Sequence, residues 1–306
     1  MGSMRIALLS VLVVGSVALV GCGLDATDET SEAPPTANLE GAPIADGDPA
    51  NDPDGPGATS NAGTVGASDP GAPGVDNPGA KPTAACTVTK DGSGFFTRNS
   101  GKSNYVAYVP SSYDGSKPMR LVVGIHGCGD TAYNFATWGV APYQTRTTQT
   151  HIAISVDGAS GGGSCWSIPG DADKVTAAID DIKKCFWVHQ KKVVLAGYSS
   201  GGQLSYRMGL DHADRYAGIL IENSGLYAAG TPSATLLANA TWKINIAHRA
   251  HTSDSVFPIA TVKSDWSKTM AAGFPIVTSE TAGTHDGTSA DWATWLLPQS
   301  AGWIAP

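Results

Sequence analysis

From Cys86 onward the chain is punctuated by short apolar runs: Tyr105–Val109, Leu121–Ile125, Ile152–Val156, Val193–Ala196, Gly218–Ile221, Ile244–Ala247 and Pro275–Val277. Most are continuous rather than alternating, the pattern of strands buried on both faces. Between them lie stretches with helical spacing. Ala172–Phe186 puts Val175, Ala178, Ile179 and Ile182 on one face and charges elsewhere. Gly201–His212 and Asp291–Leu297 are further predicted helices. Strands alternating with helices predict an α/β fold, a mostly parallel central sheet flanked by helices, in a single domain over residues 85–306. No internal repeat and no second folded domain is visible.

The first part of the chain reads differently. Arg5 precedes an apolar run to Val20 that is short for a membrane span and has the form of an export signal over residues 1–22. It ends Leu19-Val20-Gly21-Cys22, small residues before a cysteine, as in a bacterial lipobox. That predicts lipidation of Cys22, with an ordinary signal peptide as the alternative. Gly23 rather than Asp after the cysteine points to an outer-membrane or cell-surface location. Residues 23–84 are rich in Ala, Gly, Pro, Asp, Ser and Thr and nearly devoid of large apolar residues. Such a segment cannot bury enough surface to offset its ordering entropy, so it reads as a disordered tether.

Charge and cysteine usage refine the picture. The net charge is −8. Residues 23–85 hold eleven acids and one base, whereas residues 86–306 hold sixteen acids and seventeen bases. The acidity therefore belongs to the tether, and no basic stripe suggests nucleic acid. Besides Cys22 there are Cys86, Cys128, Cys165 and Cys185, an even number that favours two disulfides in an exported domain. Sequence alone leaves three pairings open.

Chemistry concentrates at Val193-Val194-Leu195-Ala196-Gly197-Tyr198-Ser199-Ser200-Gly201-Gly202. An apolar strand, then Gly-x-Ser-x-Gly, then a helix is the layout of a nucleophile elbow, which predicts Ser199 as nucleophile. The Ser200 amide would open the helix and point at a developing oxyanion. Upstream, Leu121–Ile125 runs into His126-Gly127-Cys128, where the Cys128 amide is the expected second donor. His126 reads as a structural residue of that loop. The order nucleophile, acid, base predicts Asp254, in the polar turn after Ile244–Ala247, as acid, with Asp265 the fallback. His285 is the only histidine after Asp254 and is the expected base. His151, His189 and His212 are assigned to packing or surface, while His248 and His251 could line the site. No histidine–carboxylate spacing suggests zinc and no phosphate loop appears, so neither metal nor other cofactor is expected.

His126–Ala132, Phe135, Trp138, Gly163-Ser164-Cys165-Trp166, the Gly197–Gly202 elbow and Glu222-Asn223-Ser224-Gly225-Leu226 together resemble a family of α/β-hydrolases. It is that of poly(3-hydroxybutyrate) depolymerases and feruloyl or acetylxylan esterases. The resemblance runs from about Cys86 to Pro298. It implies the α/β-hydrolase fold and a cofactor-free serine esterase acting on polyester or on acyl groups of plant polysaccharide. It also implies that Ser199, Asp254 and His285 form the triad, that Cys128 and Ser200 form the oxyanion loops, and that Trp166, Tyr133 and Trp138 lie near the cleft. Disulfides Cys128–Cys165 and Cys86–Cys185 follow from the same likeness. Trp187, Trp242, Trp292, Trp295 and Trp303 are assigned to packing. The rival readings are a peptidase or thioesterase, or a surface lipoprotein that binds glycan or polymer without turning it over.

Overall fold

The apolar runs form the strands of one eight-stranded sheet. The structure, a computed structural model, describes residues 77–84, 86–226 and 232–306. The expected export signal, Cys22 and most of the expected tether lie outside these residues. The strands are β1 (Phe95–Asn99), β2 (Asn104–Tyr108), β3 (Met119–Ile125), β4 (His151–Val156), β5 (Val188–Tyr198), β6 (Gly218–Glu222), β7 (Asn245–His251) and β8 (Ile276–Thr281). The helices are α1 (Ala132–Phe135), α2 (Ala172–Cys185), α3 (Ser200–Asp211), α4 (Ser233–Asn239) and α5 (Ile259–Ala271). The last helical segment, Ser289–Gln299, has π-helical turns over Trp292–Leu296.

The strand order is β1-β2-β4-β3-β5-β6-β7-β8. β1, β2 and β4 pair antiparallel, and every pairing from β4 through β8 is parallel. Side chains alternate across this sheet. Leu121, Val123 and Ile125 of β3 join Val193, Leu195, Ile219 and Ile221 on one face, where Val175, Ile179 and Ile182 of α2 and Leu204 and Met208 of α3 cover them. Val122, Val194, Ala196 and Leu220 face the other way, onto Phe135, Trp292, Leu296 and Trp303. Two buried faces explain the continuous apolar runs in the sequence.

Several elements exceed the sequence expectation. β1, α4 and α5 were not expected, and β5 starts at Val188, five residues before its apolar stretch. The folded region also begins before residue 85. Pro78 O accepts the Gln190 N–H at 3.0 Å and Gly79 O accepts Trp187 Nε1 at 3.1 Å, so residues 77–84 of the expected tether lie against the sheet's periphery.

Both disulfides implied by the resemblance are present. Cys86–Cys185 ties the segment before β1 to the end of α2. Cys128–Cys165 joins the loop after β3 to the loop after β4. Among the described residues no helix is long and apolar enough to cross a membrane.

The parallel strands all end at one edge of the sheet. β3, β5, β6 and β7 deliver Cys128, Ser199, Asn223 and Asp254 respectively to that edge, within three residues of each strand's last residue. Ligands of open parallel sheets bind outside the carboxyl ends of the strands.

Candidate active site

Ser199 sits between the end of β5 and the first residue of α3, with φ 54° and ψ −124°. This is a region non-glycine residues rarely occupy, and it is held by its surroundings. Ser199 N–H donates to Glu222 O at 3.2 Å. Ser199 O accepts from Gly202 N, Gln203 N and Ser224 Oγ, the last at 2.7 Å. The flanking glycines are required for contact. A Cβ on Gly197 would lie 2.3 Å from Gly201 O, and one on Gly201 would lie 1.9 Å from Ile125 O.

The structure brings the three expected residues into one hydrogen-bonded line. His285 Nε2 is 2.9 Å from Ser199 Oγ, and His285 Nδ1 is 2.9 Å from Asp254 Oδ2. The other oxygen of Asp254 accepts the backbone N–H groups of Val256 at 2.8 Å and Phe257 at 2.9 Å. Burial alone raises the Asp254 pKa. The hydrogen bond from His285, the two amides and the imidazole's charge outweigh it and hold the carboxyl below its ordinary value. An ionised Asp254 only accepts, so Nδ1 of His285 carries its proton and Nε2 is free to accept from Ser199. The fallback Asp265 is elsewhere: it lies on α5 and its Oδ2 accepts the Leu226 N–H at 2.9 Å.

Two aromatic rings pack against the imidazole. Tyr198 lies 5.4 Å from its centroid at 31°, and Phe257 lies 5.7 Å away at 27°. Tyr198 Oη also donates to His285 O. Sequence reasoning missed both rings. Tyr198 was legible only as the filling of the elbow, and Phe257 only as part of an apolar-Pro segment.

The loop after β3 passes directly over the elbow. A Cβ on Gly127 would lie 2.7 Å from the Tyr198 ring and 3.3 Å from Ser199 Cβ. Cys128 follows, fixed by its disulfide and by the Gly129 N–H on Ser164 O at 3.2 Å. Ser200 is the first residue of α3 and is buried. His126 orders the loop, as expected: its Nδ1 is 2.7 Å from Gly127 O, and its own carbonyl accepts Trp166 Nε1 at 2.7 Å.

The three aromatics expected near the cleft have different surroundings. Trp166 is 4% exposed and packs on His126, so little ring face is left for a substrate. Trp138 stands edge-on to Tyr198 at 5.2 Å and braces the elbow. Tyr133 is exposed, but its hydroxyl donates to Asp91 Oδ2 at 3.0 Å. Among the other histidines, His248 meets Tyr206 Oη at 2.8 Å, and burial pushes its pKa down to about 3.

One cluster escaped the sequence reading because its members lie far apart in the chain. Potential ligand atoms of Glu222, His251 and Asp291, all buried, lie within 4.8 Å of one another, close enough to hold a cation. The surroundings argue against one. Arg249 forms an ion pair with Asp291 at 2.9 Å, placing a fixed positive charge at the cluster. Glu222 accepts Trp292 Nε1 at 2.5 Å and the Thr288 N–H at 3.4 Å. Burial, reinforced by the charge of Asp291 and a hydrogen bond with it, holds the Glu222 carboxyl well above the usual range. The cluster thus favours a protonated Glu222 over the anionic ligand a cation would need.

No family model matches the chain. It is 26% identical over 128 residues to feruloyl esterase C of Emericella nidulans, covering 40% of this chain and 46% of that protein. The chain spans about half the length of the curated relatives it matches. Among solved structures, S-formylglutathione hydrolase from Agrobacterium tumefaciens aligns with TM-score 0.54 at 14% identity, over 69% of this chain and 95% of that one. A ferulic acid esterase from Anaeromyces mucronatus, in complex with ferulic acid, aligns with TM-score 0.52 at 13% identity, over 73% and 94%. Together with the sheet order and the strand-to-helix elbow, these likenesses establish that the chain has the α/β-hydrolase fold.

Proposed function

We propose that the protein is an exported serine carboxylic-ester hydrolase working through an acyl-enzyme. The observation that carries this reading is the unbroken line Asp254–His285–Ser199, two contacts of 2.9 Å ending on a serine in left-handed backbone geometry. Ser199 Oγ attacks the ester carbonyl carbon while His285 Nε2 takes the hydroxyl proton. Asp254 holds the imidazole tautomer and stabilises the imidazolium. The backbone N–H groups of Cys128 and Ser200 receive the oxyanion. The carbon–oxygen bond to the alcohol then breaks, and the proton on Nε2 goes to that alcohol. Water repeats the sequence, losing its proton to Nε2, and frees the acid with Ser199 restored. No cofactor takes part in these steps.

The acyl group is that of a feruloyl or acetyl ester on plant polysaccharide, or of a hydroxyalkanoate polyester. Similarity to feruloyl esterase C favours the first. Two disulfides suit an oxidising compartment outside the cytoplasm. The apolar N-terminal run closing on Cys22 supports a lipid anchor, through which the protein would meet a membrane.

The test compares the protein with its Ser199→Ala variant on p-nitrophenyl acetate and butyrate, methyl ferulate, acetylated xylan, a hydroxybutyrate oligomer and a simple thioester. Wild-type turnover lost in the variant by ~10⁶-fold, the scale for a triad nucleophile, is expected. The ranking within the panel names the acyl group and separates ester from thioester. A folded wild type inert to every ester would overturn the reading.

A further inference from the structure

Asn223, directly after β6, has no part in the chemistry above, yet it is wholly buried at the centre of the site. Its φ is 46°, in the region that glycine adopts freely and asparagine tolerates better than most residues. Its side chain is spent on segments that carry the proposed triad. Oδ1 accepts the His251 N–H at 3.1 Å, and Nδ2 donates to His251 Nδ1 at 2.8 Å. Nδ2 also reaches Thr284 O at 3.4 Å and Asp286 O at 3.5 Å, the carbonyls on either side of His285. His251 O in turn accepts the Asp254 N–H at 3.3 Å. The neighbours of Asn223 hold the nucleophile: Glu222 O takes the Ser199 N–H and Ser224 Oγ donates to Ser199 O. Three consecutive residues therefore touch the segments bearing Ser199, Asp254 and His285.

We propose that Asn223 is a positioning residue, whose carboxamide fixes the segment bearing His285 against the segment bearing Asp254 so that the imidazole stays in line between Asp254 and Ser199. The proposal rests on the serine-hydrolase reading of that line. The local requirement for positive φ offers a second reason for an asparagine here, and the two reasons separate by substitution. Glycine satisfies the backbone at least as well but has no amide. Aspartate keeps the shape and the acceptor but turns the donor, which faces two carbonyls and an imidazole nitrogen, into an acceptor.

The experiment compares wild type, Asn223→Gly and Asn223→Asp in the full chain. Three quantities are read: the melting temperature, kcat and KM on p-nitrophenyl acetate, and the far-downfield proton resonance of the His285–Asp254 hydrogen bond. That resonance is assigned by its loss in Asp254→Ala. Positioning predicts that Asn223→Gly folds, loses kcat by ~10²-fold, the cost of a misplacement of about 1 Å, and keeps KM nearly unchanged. The resonance should broaden or move. A folded Asn223→Gly with wild-type kcat and an unmoved resonance overturns the proposal, since the backbone alone then explains the asparagine. If Asn223→Gly does not fold, Asn223→Asp decides by the same two readouts. Wild type silent on every ester sinks the hydrolase reading; the resonance needs no substrate and then decides the positioning on its own.

Discussion

Among the described glycines Gly201, in the elbow helix beside β3, leaves the least room for a side chain, and a single methyl group tests that close approach. Ala at position 201 would place its Cβ 1.9 Å from Ile125 O and 2.4 Å from His126 O, inside the 3.0 Å that such atoms respect, so the main chain must yield by about 1 Å. Ile125 O is at the end of β3, which is pinned by parallel pairing to β4 on one side and β5 on the other, and His126 O is on the next residue. Overpacking costs ~1–3 kcal/mol when side chains can adjust, and rigid main chain puts this case at the top of that range. Better helix propensity of alanine returns ~1 kcal/mol. The net loss is ~2 kcal/mol, or ~4–8 °C in Tm for a domain of this size. Function should suffer more than stability. The displaced His126 carbonyl anchors Trp166, and the chain leads within two residues to Cys128, whose amide is assigned to the oxyanion. Losing one such donor lowers kcat by ~10²–10³-fold. The assay is thermal unfolding by circular dichroism together with kcat on p-nitrophenyl acetate. Gly92→Ala is the control, because nothing lies within 4 Å of its added Cβ. A Gly201→Ala protein with the Tm and kcat of the control would refute the argument that this contact sets the distance between the two oxyanion segments.

Two further outcomes follow from the polar groups. Asp254→Asn can keep its bonds to the Val256 and Phe257 amides but presents N–H to His285 Nδ1, which forces the proton onto Nε2 and leaves Ser199 without an acceptor. kcat should fall by ~10⁴-fold with little change in Tm, and a loss under tenfold would sink the tautomer argument. Glu222→Gln tests the raised Glu222 carboxyl. The Glu222 pKa is raised on folding, so the native protein keeps a proton that the unfolded chain releases. That contribution is complete below the ordinary glutamate pKa and is lost as pH rises towards the folded value. Glutamine has no such loss, so the Tm of Glu222→Gln minus that of wild type should increase with rising pH. A difference that is flat or shrinks on titration contradicts the assignment.

How far the sequence is legible depends on whether buried positions are apolar. α2 was readable because Val175, Ala178, Ile179 and Ile182, all buried, are apolar at helical spacing. α5 was not, because its buried stripe is Val262, Asp265, Trp266 and Thr269, and two polar members break the period. Asp265 is there to take the Leu226 N–H and Thr269 to bond the Asp265 carbonyl, roles that appear only once the chain is folded. The start of β5 was hidden in the same way: His189 and Lys191 are buried polar residues inside the strand. β1 has only Phe95 and Phe96 buried, too short an apolar signal to stand out.

The site divides along the same line. Ser199 announces itself because strand, elbow and helix are contiguous in sequence, His285 follows from chain order, and Asp254 from chain order together with its place in the polar turn after an apolar strand. Beyond the local Val256 and Phe257 amides on Asp254, much of what holds them in line comes from adjacency of strands that the sequence does not reveal. β6 lies between β5 and β7, so its last residue and the next two meet the elbow on one side and the loops after β7 and β8 on the other. By hydrophobic pattern Glu222-Asn223-Ser224 is only a polar triplet after an apolar strand, and the resemblance it carries assigns it no role. Each of the three is nonetheless fully buried, and each makes a hydrogen bond to Ser199 or to a segment that carries Asp254 or His285. Burying three polar side chains at a strand end is costly unless all are paired: Asn223 and Ser224 pair with parts of the proposed catalytic line, and the Glu222 side chain pairs with Trp292 and Thr288 while its carbonyl takes the Ser199 N–H. The same polar burial that hid this triplet from hydrophobic pattern is therefore the physical reason to look for function in it.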